Sequence, residues 1–348
     1  MTKSCALLVL CLLWITPAVS QTKTDKDREN LAGPVKRVEA YLIDIVSNDN
    51  GVVEKRHRWY TTAYNTEGNI SKRTSYDQNG EIIAINIHTY DANGRSTGYD
   101  EYARLGDKTL TSKRPHVYKL NEDGRRIEYT VFESNGSVGT RFVYIYDAQG
   151  NLIEEHWYAH TGLLAGRMVF TFDEKGNRIG EASYEEDGTL SWKNTSKYDA
   201  NGHKTEWIQH HGNTLRYKML YSYDSKGRVL ETETLEFNGT PNVIVTHAPE
   251  PGRVVNTYDD DKRTKEVATY RLDGTLKEKV AHAYDERGNE VGVTTFNADG
   301  SVKNSQSVLF KIEYDSHGNW TRKTRLTHSE KGGPPQPYHA ELRVITYY

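Results

Sequence analysis

The chain is poor in cysteine, in aliphatic residues and in any excess of charge. Its two cysteines, Cys5 and Cys11, both fall within the first twenty residues. Everything after them is free of thiols, which excludes disulfide staples and cysteine–histidine nucleophilic chemistry. Apolar residues make up only 36% of the sequence, and the mean hydropathy is -0.78. A two-layer sandwich needs a continuous aliphatic face on each sheet, and these residues are too few for two. The net charge is only -3, from 45 lysines and arginines against 48 aspartates and glutamates. No basic stripe stands out, so no nucleic-acid partner is expected. Tyrosine is abundant instead, at 24 residues against 7 phenylalanines. A tyrosine ring packs while its hydroxyl reaches water, which suits one thin sheet with tyrosine ladders.

A short phrase organises the chain. Its clearest copy is Tyr223-Asp224-Ser225-Lys226-Gly227-Arg228-Val229-Leu230, and others begin at Tyr90, Tyr146, Phe172, Tyr198, Tyr284 and Tyr314. Asp-x-x-Gly is turn chemistry: the carboxylate caps nearby amides, and glycine accepts a left-handed backbone. A type I turn followed by left-handed glycine is the hairpin loop with a one-residue bulge. Tyr64 to Tyr90, Tyr146 to Phe172 and Phe172 to Tyr198 are each 26 residues apart. Midway sits a looser turn, as at Phe132–Gly136, Tyr184–Gly188, Tyr270–Gly274 and Phe296–Gly300. Each unit therefore holds two strands and two turns, the mark of a repeat architecture. The expected fold is all-β: a repetitive array of antiparallel β-hairpins forming one long coiled or twisted sheet. Open, coiled and closed forms all satisfy the pattern. In an open sheet the first and last strands are unpaired and invite self-association through the sheet edges.

The run Tyr221-Ser222-Tyr223-Asp224-Ser225-Lys226-Gly227-Arg228-Val229-Leu230 resembles the core of the bacterial RHS/YD-repeat family, and matching copies cover roughly residues 57 to 325. The resemblance implies long antiparallel sheets that coil into shells or spirals. Large members of that family carry a self-cleaving motif and a C-terminal toxin. No Asp-Pro autocleavage signature is present here, so a toxin-delivery role is not carried over. The looser turns resemble hairpin repeats of the MORN type.

Residues 1–20 read as a secretory signal peptide. Lys3 supplies the positive region, Cys5 to Ile15 the apolar stretch and Ala18-Val19-Ser20 the cleavage site. The stretch is too short to favour a transmembrane helix. No cysteine follows the small residues, which argues against a lipid anchor. Residues 21–33 read as a polar, disordered lead-in, and 34–348 as the repeat sheet, without a convincing helix. Export to a bacterial periplasm or exterior is the expected localisation. Prolines and glycines break the rhythm at Leu105–Pro115, His247–Gly252 and Glu330–Pro337, which read as loops.

No catalytic constellation is legible. There is no Gly-x-Ser-x-Gly elbow and no phosphate loop before a helix. Glu154 and Glu155 are adjacent, so on a strand they face opposite ways and do not form a glycosidase pair. His156 and His160 lack the glutamate of a His-Glu-x-x-His motif. On a strand they stand roughly 13 Å apart, too far to share an ion. The turn aspartates each serve one turn, whereas calcium takes six to eight oxygens. No cofactor or metal is expected. Exposed aromatics remain as a platform for a ligand, with Trp157, Trp192, Trp207, His156 and His210 as candidate residues. The expected function is a non-catalytic structural or binding scaffold whose partner is an envelope glycan or protein. The alternatives are a carbohydrate-binding module using exposed tryptophan and tyrosine, and an envelope enzyme.

Overall fold

The computed structural model describes residues 23–48, 51–104, 113–236, 251–261, 263–303, 307–327 and 335–348. The expected signal peptide and most of the three loops read from proline and glycine lie outside them, while Arg114, Pro115, Gly252, Gln336 and Pro337, read as loop, begin strands. The described residues form 22 antiparallel strands and a single-turn helix, α1 (Asp25–Arg28). Each strand pairs with the next in sequence. The first, β1 (Val35–Asn48), pairs with β2 (Gly51–Tyr64) on one side and with the last, β22 (Gln336–Tyr347), on the other. The sheet is therefore closed. Of the open, coiled and closed forms that the pattern allows, this is the closed one: Val38 lies opposite both Thr62 and Ile345, and each edge completes the other.

The hairpin turns set this geometry. At Asp224 the carboxylate Oδ1 accepts the amides of Lys226 and Arg228 at 2.9 and 3.0 Å, and Oδ2 accepts Arg228 Nε at 2.6 Å. The amide of Gly227 donates to the Asp224 carbonyl at 3.0 Å. Gly227 has φ +76, and a Cβ there would sit 2.7 Å from His203 Nε2. Only glycine fits, on both counts. The ladder shifts by one residue as the chain leaves the turn, the expected bulge. Because the same shift recurs at each Asp-x-x-Gly turn, the tyrosine before each aspartate falls on the same face of the sheet.

These turns are joined round one rim. Arg228 reaches the carbonyl of Asp259 at 3.3 Å and lies over the Tyr258 ring at 4.4 Å. Arg263 repeats this with Asp285 and Tyr284. The phenols bond backwards, Tyr258 to the Val229 carbonyl and Tyr284 to that of Thr264.

Directly opposed residues share a face, and faces alternate along each strand. Followed round the ring, one face carries Tyr90, Tyr99, Tyr129, Phe142 and Trp157. Exposed aliphatics on the strands, such as Ile87, Val117, Ile145 and Val344, belong to the other face. Side chains converge inside a closed ring, so the sheltered aromatic face is the inner wall. The outer wall carries ion pairs at mid-strand, including Lys197–Glu206–Lys218, Arg253–Glu231 and Lys279–Glu266. A lipid-facing lysine or arginine costs about 2–4 kcal/mol at the bilayer midplane, so this wall suits water and not acyl chains. Among the described residues no helix is long and apolar enough to cross a membrane.

At about 4.8 Å per strand, 22 strands make a circumference of roughly 105 Å. A ring of that size is too wide for its own side chains to fill. The buried apolar clusters flank the closure, with Leu31, Val35, Val38 and Tyr64 on the inner wall and Ile43, Ile45 and Ala340 on the outer.

The segment expected to be a disordered lead-in spans this closure. Thr24 and Asp27 form a capping box on α1. Asp25 accepts the Ile70 amide at 2.9 Å, Lys26 donates to the Gly68 carbonyl, and Ala32 exchanges two hydrogen bonds with the Asn319 side chain. Glu29 accepts the Tyr64 phenol and Arg73, each at 2.5 Å. The charges that read as solvated are used by the sheet.

Two outcomes follow from these contacts. Glu29→Ala leaves the Tyr64 phenol without its partner and is expected to cost about 1–3 kcal/mol. Urea unfolding measures this, with the exposed Glu286→Ala as control; equal midpoints for the two variants would exclude the clasp role of the segment. The Asp224 carboxyl is held below the usual range by the Arg228 amide and side chain, and those of Asp147 and Asp173 by the side chains of Asn151 and Asn177. A depressed carboxyl stabilises the fold above its unfolded pKa and loses that contribution as pH falls through the folded one. Stability should therefore decline below about pH 4, and a combined Asp→Asn variant at these three turns should show a flatter decline in urea midpoint.

Candidate binding surface on the inner wall

An aromatic strip crosses six strands of the inner wall: β4 (Ile82–Tyr90), β5 (Ser96–Ala103), β6 (Arg114–Leu120), β7 (Arg126–Phe132), β8 (Val138–Tyr146) and β9 (Leu152–Tyr158). Ring centroids are 5.5 Å apart for His88–Tyr99, 4.2 Å for Tyr99–His116, 5.9 Å for His116–Tyr129 and 5.6 Å for Tyr129–Phe142. Phe142 then stands opposite Trp157. Register opposes His88 to Tyr99, Tyr99 to His116 and Tyr129 to Phe142, while His116 meets Tyr129 on the diagonal, and each offset-stacked pair adds roughly 0.5–1.5 kcal/mol beyond its area.

Trp157 closes the strip against β10 (Leu164–Phe172). Its indole lies on Gly166, where a Cβ would sit 2.5 Å from the ring and 2.8 Å from the Tyr184 carbonyl. The position must stay bare for the ring to lie flat.

Polar groups are threaded through the strip. His116, buried, has Nδ1 2.7 Å from the Tyr129 hydroxyl and Nε2 3.4 Å from Glu101. Burial pushes the His88 imidazole down, which keeps it neutral near pH 7. The tyrosines whose phenols are pushed up by burial, among them Tyr64, Tyr90, Tyr129, Tyr144 and Tyr314, all lie on this wall. They are hydrogen-bond donors at any physiological pH.

The residues singled out from sequence divide between the two walls. Trp157, Trp192 and Trp207 are half-buried on the inner wall. Trp192 and Trp207 occupy adjacent strands, β12 (Leu190–Tyr198) and β13 (Lys204–His211), but stand four residues apart in register, roughly 13 Å. Trp207 lines a cleft of about 30 Å³ with Arg178, Glu181, Asn194 and Lys204, room for a water. His156 and His210 are on the outer wall. His156 contacts Glu154 at 2.6 Å, and Arg167 approaches the same carboxylate. His210 is pushed down by burial and by Lys193, and its Nδ1 has no partner. His160 sits in an exposed turn, and among the described residues no group of three metal-type side chains converges.

Sequence reasoning did not single out the strip from His88 to Phe142, or Glu155. Glu155 stands on the inner wall between Tyr144 and Met168, directly opposed to both. Its carboxyl is pushed up by burial alone, with no cation among the causes. Parity, used in the sequence to reject Glu154 and Glu155 as a pair, also sends one of the two to the inner wall, and the cross-strand register identifies it as Glu155.

No protein-family model matches the chain, and no curated protein matches it. Among solved structures, a chain of the TcdB2-TccC3-Cdc42 crystal structure aligns over 85% of this chain and 16% of its own, at 14% identity and a TM-score of 0.41. A TcdB2-TccC3 chain aligns over 82% and 17%, at 15% identity and a TM-score of 0.31. A porin-like protein from Bacteroides uniformis aligns over 90% and 99%, at 12% identity and a TM-score of 0.29. The chain thus spans about a sixth of the two longer proteins. Similarity at this level assigns it to no family.

The raised phenols have a direct readout. Burial favours their protonated form, so that contribution to stability is complete at neutral pH and is lost as pH rises through their folded pKa. Tyr314, also bonded to Asp285, is pushed up to about 12. In a spectrophotometric titration a group of tyrosines should stay protonated past pH 10, the ordinary value, and ionise together with unfolding. Full reversible ionisation near pH 10 would contradict a sheltered inner wall.

Proposed function

We propose that this chain is an exported, non-catalytic β-scaffold of the bacterial cell envelope that binds a ligand on its inner wall. The observation that carries the reading is the line of rings from His88 to Phe142, with Trp157 opposite Phe142 in register, on a wall too wide to be filled by its own side chains. The apolar stretch before Ser20 supports export, and the resemblance of the repeats to RHS/YD units supports a shell-like role.

Tyr129, His116 and Glu101 form one hydrogen-bonded array on this wall. Burial and then Tyr99 push the Tyr129 phenol upward, which keeps it protonated. The arrangement acts as a hydrogen-bonded wall. A second reading, a carbohydrate-binding module, is favoured by the indole of Trp157, half-buried on the inner wall against the bare backbone of Gly166.

Tryptophan fluorescence of the mature chain, titrated with a panel of envelope glycans and small cationic ligands, tests the reading. Binding that is weakened at least tenfold by Tyr99→Ala or Trp157→Ala, with the circular dichroism spectrum unchanged, is expected. Turnover of an envelope substrate would sink the non-catalytic assignment, and silence across the panel would sink the binding one.

A further inference from the structure

The carboxylates of this chain are mostly matched. On the outer wall Glu128, Glu154, Glu206, Glu231 and Glu266 each meet a cation. At the rims, aspartates meet backbone amides, as at Asp224. Glu155 differs: among the described residues no hydrogen bond or ion pair reaches its carboxylate, yet it stands on the sheltered wall. Partly burying a charge without a partner carries a cost, and the fold does not require it here, since a leucine or glutamine would span the same register.

Its surroundings have one chemical character. Tyr144 and Met168 are directly opposed to Glu155 on β8 and β10. Trp157 and Phe142 lie one step along the same face in one direction, and Tyr146 and Phe170 lie one step in the other. Cross-strand neighbours at these positions stand about 5 Å apart and diagonal ones about 7–8 Å, within reach of aromatic side chains. Phe142 and Trp157, the soft sulfur of Met168 and the phenol of Tyr144 thus neighbour one negative charge that has no partner, whereas Tyr146 and Phe170 already carry Arg125 and Arg178 over their rings. Near Phe170, at the rim between the Asp147 and Asp173 turns, a groove of about 640 Å³ opens beside this frame.

We propose that the inner wall across β8, β9 and β10 is a site for an organic cation, an ammonium or guanidinium group, held between the Glu155 carboxylate and the rings of Tyr144, Phe142 and Trp157. Aromatic faces attract a cation through their quadrupoles and do so more strongly where water is excluded. The carboxylate supplies the countercharge. A neutral sugar would meet the rings and leave the charge unmatched, which is why the cation is preferred over the glycan. The site rests on the reading of the inner wall as a binding surface.

Calorimetric titration with choline and with its neutral isostere 3,3-dimethylbutan-1-ol tests the site, and arginine amide in a parallel titration separates guanidinium from ammonium. The wild-type chain should bind one of the two cations at least tenfold more tightly than the neutral isostere. Glu155→Gln should lose that preference and Glu155→Asp retain part of it. The bound cation should be released on acidification at a pH above the ordinary glutamate value, because burial makes Glu155 easier to protonate. Its raised pKa also means that the ionised form destabilises the empty fold, so Glu155→Gln should raise the melting temperature while removing binding. A structural role for the carboxylate would lower it. Affinity for the neutral isostere equal to that for both cations, or undiminished cation binding by Glu155→Gln, overturns the proposal. A glycan bound through Trp157 with no cation bound overturns the cation and leaves the inner-wall reading standing. No ligand of either class overturns both.

Discussion

Two hydrogen bonds from backbone amides to one aspartate oxygen, repeated from turn to turn, fix everything else in this sheet. The bond from Arg228 N to Asp224 Oδ1 holds the turn in one shape, and that shape forces a one-residue shift where the next strand begins. Side chains on a strand alternate with period two, so a slip of one residue would send every tyrosine to the other wall. The aspartate is therefore the register key of its hairpin. The arginine or asparagine four residues later binds the same carboxylate through its side chain. Where it is arginine it also ties the turn to the next one along the rim.

A wall sorted in this way divides the work of stability. The outer face is held by exposed ion pairs, each worth about 0–1 kcal/mol, together with scattered aliphatics. The inner face is held by ring stacking and by phenols bonded to neighbouring carbonyls, as Tyr146 is to Arg126. No central core collects these contributions. They sum along the ring, strand by strand, as in a linear repeat protein. The small apolar clusters gather where the ring shuts, the one place where a local hairpin cannot hold two strands together.

The repeat unit was legible in the sequence because Asp-x-x-Gly acts locally: the residues that define the turn are the residues that make it. Closure was not legible, since nothing in Val35–Asn48 says whether its second neighbour is solvent or a strand some three hundred residues away. The N-terminal segment was misread for a related reason. Asp25 and Glu29 look like solvated charge by composition, and their partners, Ile70, Tyr64 and Arg73, are far along the chain. The candidate site was half legible. Parity separates His156 from Trp157 without any structure, and it puts Tyr144 and Tyr146 on one wall. That Tyr99, His116 and Tyr129 fall in line requires the register of each intervening hairpin, and the connection between β5 and β6 departs from the repeat.

The pairing of β1 with β22 also constrains how the molecule is made. Each of the other 21 joints links neighbours in sequence and can form as soon as the second strand leaves the ribosome. The seam must wait for the final strand. Until then the chain is an open ribbon whose β1 flank is bare, 14 residues long and partly apolar, the kind of edge that captures other strands. The clasp of Thr24 to Ala32 meets β2, β3 (Ile70–Tyr76) and β4 early, at Tyr64, Ile70 and Tyr90, but its bond to Asn319 only at the end. It can thus shield the waiting end of the ribbon during synthesis and become the latch once the seam is drawn.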